Sequence, residues 1–223
     1  MISYWLLLAA LAQTKAITQG PHRLEIVLER REGDVWKAVD PGLVFQRGDR
    51  VRFKAKTNFG GYLYVMNRST SGKNDLLFPT GEAGVKNRIE AERQYLVPAT
   101  QGAFRVTGPP GQEIVYWLIS PVEMKKDGGD YVPLPPPPKP GKVPPNLIPR
   151  CDDTILRARG DCVDTSAGAK PIGQKGNVPE SLAGIAQATP PDVMFVRQQN
   201  ASVVAAPATL EGPVIFEFRL AHR

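Results

Sequence analysis

His22, His222, Cys151 and Cys162 are the only imidazole and thiol groups in a chain of 223 residues. A closed zinc site built from nitrogen and sulfur ligands would need all four of them, and no Cys-x-x-Cys spacing prepares such a site. The two cysteines, close together in CDDTILRARGDC, are better suited to a disulfide across a short loop. Such a closure contributes roughly 3 kcal/mol in the chain-entropy model. His22 and His222 lie near opposite ends, outside the clearly patterned strands, and two ligands alone are too few for a metal. There is no G-x-S-x-G elbow, phosphate-binding loop or dinucleotide glycine pattern. Carboxylates are scattered, and no spacing makes an acid/base pair of any two. The expectation is a protein that is not an enzyme and takes no cofactor and no metal.

Charge offers a different chemistry. Arg47, Arg50, Arg52, Lys54 and Lys56 fall on or beside the segment RVRFKAKT, where alternation puts Val51, Phe53 and Ala55 on the opposite face. The five cations form a candidate anion surface that could grip an acidic glycan or other acidic polymer. The simpler reading pairs them across strands with Glu25 and Glu29. No aromatic side chains interleave with them, so a nucleic-acid partner is not expected. Tyr62, Tyr64, Tyr116 and Trp117 suggest a carbohydrate platform, although their alternation in apolar segments favours packing. Asp152, Asp153, Asp161 and Asp164 flank the cysteines without the spacing of a calcium loop. The triplets Arg47-Gly48-Asp49 and Arg159-Gly160-Asp161 read as turns.

The elements that must carry these residues have period two. Leu24–Leu28 and Arg50–Thr57 alternate, whereas Gly61–Asn67 and Glu113–Ile119 are apolar on both faces, as expected for strands covered on both sides. Val35–Val39, Leu76–Phe78, Tyr95–Val97 and Ala103–Thr107 are shorter candidates, and Gly- and Pro-containing turns separate the runs. The pattern predicts an all-β fold, an Ig-like antiparallel β-sandwich of two sheets. Tyr131–Pro149 reads YVPLPPPPKPGKVPPNLIP and should form a polyproline spacer, with Pro135 to Pro138 as a docking motif if it binds anything. A helix is predicted at Pro179–Ala188, a strand at Val193–Gln198, and a strong strand at Val214–Leu220 that returns to the sandwich because a lone edge would be exposed. Residues 22–121 plus 193–223 would then form one discontinuous domain. Residues 122–192 would be a Pro-rich, disulfide-closed, mostly irregular excursion.

Composition sets the compartment. Met1–Ala12, MISYWLLLAALA, is a short apolar run ending in Ala10-Leu11-Ala12, the small-residue pattern of signal-peptide cleavage after Ala12. It is too short to span a bilayer, so the expectation is an extracytoplasmic protein, periplasmic or secreted, with no transmembrane span after cleavage. The 22 prolines and 21 glycines suit short strands and turns, and the net charge of +6 is ordinary for solubility.

One stretch resembles a known family. GDRVRFKAKTNFGGYLYVMNRSTSGKNDLLFP, Gly48 to Pro79, carries a GDRV-F strand start, an N-F-x-GYLYV strand, an S-G-K turn and a closing LFP. With Asn87-Arg88-Ile89, the QYLVP segment and G-x-E-x-V-Y leading into Ser120-Pro121, it resembles bacterial domain of unknown function 4384 over roughly Leu24 to Pro121. The resemblance implies a small β-sandwich in exported or envelope-associated bacterial proteins and brings no activity, cofactor or catalytic residue. The functional expectation is a binding or assembly module of the cell envelope. It would recruit a protein partner through a sheet edge or the Pro-rich segment, with acidic-glycan binding through the basic strand as the alternative.

Overall fold

Alternation in the sequence becomes two facing antiparallel sheets in the computed structural model, which describes residues 21–80, 86–99, 102–124, 148–152, 161–173, 178, 180–206 and 212–223. The strands are β1 (His22–Glu32), β2 (Val35–Val39), β3 (Arg50–Thr57), β4 (Gly61–Arg68), β5 (Asn74–Phe78), β6 (Arg88–Ile89), β7 (Gln94–Val97), β8 (Phe104–Arg105), β9 (Gly111–Ser120), β10 (Gly168–Lys170), β11 (Met194–Arg197), β12 (Ser202–Ala206) and β13 (Val214–His222). One helix, α1 (Glu180–Ala188), accompanies them. The first sheet runs β11-β12-β1-β3-β7, with β2 beside β1 and β8 beside β3. The second runs β10-β13-β9-β4-β5, with β6 beside β4. The all-β sandwich expected from the sequence is therefore present.

The core lies between the sheets and is set by the inward half of each alternation. Leu24, Ile26 and Leu28 of β1 and Val51, Phe53 and Ala55 of β3 meet Val115 and Trp117 of β9 and Phe216 and Phe218 of β13. Phe53 makes edge-to-face contacts with Trp117 and Phe218 at ring separations of 5.4 and 5.1 Å, the arrangement the aromatic quadrupole favours. β9 is buried along its whole length because both of its faces are covered. Its inward residues meet the first sheet, while Ile114, Tyr116 and Leu118 lie under α1, which contributes Leu182, Ile185 and Ala186. This is why β4 and β9 read as apolar on both sides.

The C-terminal strand pairs with β9 from Val214↔Ile119 to His222↔Gly111, so it returns to the centre of a sheet. Both histidines lie within strands, contrary to the reading that put them outside. β12, which the sequence pattern did not mark, fills the place between β1 and β11. Among its described residues, the excursion holds one strand that the sequence did not mark, β10. β10 adds to the edge of β13, Val163 bridges Leu43, and α1 packs on the second sheet. The expected signal segment Met1–Ala12 and the Pro-rich run up to residue 147 lie outside the described residues.

Candidate interaction surfaces

The basic stripe is largely matched by carboxylates. Register places Glu29 opposite Arg52 and Glu25 opposite Lys56. The Glu29 side chain, only 5% exposed, accepts from Arg52 Nε and from Lys54 Nζ, each at 2.6 Å. The Arg52 guanidinium also lies 4.2 Å from the centre of the Trp36 ring, a cation–π contact that fixes its plane. Lys56 Nζ pairs with Glu92 at 2.6 Å, and this hydrogen bond raises the Lys56 pKa above its ordinary value. Arg47 and Arg50 remain exposed, the first in the turn before β3 and the second opposite Arg105 of β8. The stripe thus lies on one face, but three of its five cations have acidic partners.

The remaining sequence candidates separate. His22 stands at the start of β1 against Phe59, with ring centres 4.8 Å apart, whereas His222 is buried at the far end of β13. The two do not meet. His222 Nε2 lies 3.6 Å from Glu113 Oε1 and 3.4 Å from Thr70 Oγ1, a hydroxyl–imidazole–carboxylate cluster that spacing did not reveal. It cannot work as a catalytic relay, because hydroxyl and carboxylate approach the same ring nitrogen instead of opposite ones. Glu113 is instead held by Asn67 Nδ2 at 3.0 Å and Thr70 N–H at 3.3 Å, tying the β4–β5 turn to the sheet. Among the described residues, no group of three or more His, Cys, Asp or Glu side chains could hold a metal ion.

The disulfide Cys151–Cys162 forms as expected, and its surroundings are structural. Asp164 accepts hydrogen bonds from Ser166 Oγ at 2.6 Å, Ser166 N–H at 2.8 Å, Arg150 N–H at 3.1 Å and Gln112 Nε2 at 3.2 Å. Burial pushes its carboxyl up, but these donors outweigh burial and hold it below the ordinary value. Asp164 N–H donates to Gly42 O, and Asp152 N–H to Val163 O, so the cysteine segment is stitched to the sandwich. Asp161 is exposed, and Asp153 lies outside the described residues, as do Arg159 and Gly160. In the other Arg-Gly-Asp triplet, Gly48 takes φ of 97° and Asp49 Oδ2 accepts from Gln46 N–H, confirming a turn.

The aromatic candidates divide between the faces of the second sheet. Trp117 enters the inter-sheet core, while Tyr64 and Tyr116 are buried beneath α1. Tyr64 Oη also accepts from Met124 N–H at 2.9 Å. They do not form an open stacking platform for a sugar.

The sheet edges differ from one another. β5 begins with Asn74 and Asp75, the latter paired with Lys73, β2 carries Lys37 paired with Glu32, and β10 is three residues long and ends in Lys170. β7 is followed directly by Pro98, which cannot donate to a ladder. β11 is guarded least, with no Pro and only one charge, at its last residue. Its sequence is Met-Phe-Val-Arg, and the Arg197 guanidinium is engaged by Asp40. Met194 is 59% and Val196 50% exposed, and both lie on the outer face beside Ala205 and Val203 of β12. Phe195 points inward and meets Phe216 at 5.8 Å. Among the described strands, β11 has a neighbour on one side only. The sequence marked a strand here but gave no sign that it would be an edge.

No curated protein matches this chain. No solved structure matches it either. Residues 44–123 match a family model that starts well after Leu24 and so leaves out β1 and β2. Over that span, from the approach to β3 through β9, the chain is similar to the family described as domain of unknown function (DUF4384).

Proposed function

We propose that the chain is an exported, non-catalytic binding module of the bacterial cell envelope that takes an extended segment of a protein partner along β11. The observation that supports it most is the least guarded edge, where Met194 and Val196 are exposed on a strand paired on one side only. An edge of this kind offers main-chain hydrogen bonds for affinity and alternate side chains for selection. The Pro-rich docking motif at Pro135 to Pro138 lies outside the described residues, so the proposal rests on the edge. The apolar leader and the disulfide both suit an oxidising compartment outside the cytoplasm. Acidic-glycan binding through the basic strand is less well supported, because Glu29 and Glu92 already occupy Arg52, Lys54 and Lys56.

The test is capture from envelope extract by the wild-type chain and by the V196K variant, at low and high salt. Capture that persists in high salt and disappears with V196K is expected. Capture that V196K leaves intact and salt releases would contradict the edge reading and favour the basic strand.

A further inference from the structure

We infer that the occupant of β11 is β11 of a second copy of this chain, paired antiparallel about a two-fold axis at Phe195; this rests on the edge reading above and names its partner.

The backbone sets which groups are available. Gln198 N–H donates to Ala201 O at 2.8 Å, closing the β11–β12 hairpin, so these two residues are a hydrogen-bonded pair. Alternation along the ladder makes Val196↔Val203 and Met194↔Ala205 pairs of the same kind. The N–H and C=O groups of Val193, Phe195 and Arg197 therefore point away from β12, towards the open side.

A two-fold register centred on Phe195 uses those groups and no others. Phe195 faces its own copy, and Val193 faces Arg197 of the second chain. On the outer face Met194 comes opposite Val196, and Val196 opposite Met194. Four exposed apolar side chains thereby form one row continuous with Ala205 and Val203 of each β12. No two charges of like sign meet, since the single cation, Arg197, faces Val193 and is already paired with Asp40. An edge that pairs with itself needs a self-complementary register, and this one is apolar except for Arg197 at either end. Of the other edges, β2 and β5 carry Lys37 and Asp75 within the strand, β7 is followed by Pro98, and β10 has only three residues.

Sedimentation equilibrium of the full chain tests the proposal, with V196K as the disrupting variant and the double variant M194C/V196C as a trap. Wild type should show a reversible dimer that V196K abolishes. Positions 194 and 196 of opposing chains would form non-hydrogen-bonded pairs with Cα atoms about 4.5 Å apart, within the disulfide range of about 4.4–6.8 Å. The double variant should therefore give a covalent dimer on oxidation, which reductant dissolves. A wild type that stays monomeric up to high micromolar concentration, with no oxidised dimer from the double variant, overturns self-pairing. If such a monomer still captures an envelope protein that V196K cannot, the edge reading stands and only the identity of the occupant is wrong. If V196K captures as well as wild type, both are wrong.

Discussion

At the scale of single residues, the paired charges of the described strands hold those strands to one another. Glu29 neutralises Arg52 and Lys54, Glu113 braces Thr70 and His222, and Asp164 gathers four donors. The alternating charge of β3 and the acidic residues of β1 were legible in the sequence. The pairing of one carboxylate with two cations was not, because it depends on a register between strands. Glu113 and His222 are far apart in sequence and meet only because β13 pairs with β9. Asp164 gives a pH prediction whose sign follows from its depressed carboxyl. The unfolded chain takes the ordinary value of 3.8 and the folded chain a lower one, so the contribution is complete above that value. It is lost as pH falls through the folded value. Urea unfolding across the acid range should show the wild type losing stability on acidification, and D164N showing a weaker loss over the same window. Equal slopes for the two proteins would remove Asp164 from the account.

At the scale of elements, legibility followed the contrast between faces. β3 was clear because charged and apolar residues alternate, and β9 because its apolar run is long and ends in Ser120-Pro121. β12, Ser-Val-Val-Ala-Ala, has no polar alternation and small side chains, so only its pairing with β1 and β11 makes it a strand. β10 is three residues of Gly-Ala-Lys and exists because the edge of β13 recruits it. The helix was legible from its composition, but not the fact that it would cover Tyr64 and Tyr116. α1 contains a further test. Gly184 is exposed within the helix, and a Cβ added there would meet nothing within 4 Å. G184A should raise stability by about 0.5–1 kcal/mol, through lower backbone entropy in the unfolded chain. A denaturant midpoint unchanged or lowered by G184A would mean that α1 does not pack as described.

At the scale of the whole molecule, the described residues of the segment between the two sandwich-forming parts are fastened to the sheets. Cys162 and Ala167 pack against Val44 and Ala221, and the disulfide ties Cys151 to the same cluster. Gly42 sits directly beneath this junction, where an added Cβ would come 2.5 Å from Asp164 O. Removing the disulfide as C151S/C162S should cost about 2–4 kcal/mol in chemical denaturation, and reductant should shift the wild type but not the variant. An identical midpoint for variant and wild type would show that the junction holds without its cross-link.

An edge at β11 that takes a further strand must bury its outward amides on assembly. Hydrogen exchange at the Phe195 and Arg197 amides tests it most directly, measured in dilute protein and again in the assembled complex. Both amides point to the open side of the sheet, so exchange should be fast when dilute and strongly slowed on assembly. Fast exchange in both states, with protection arising elsewhere on the molecule, would contradict it.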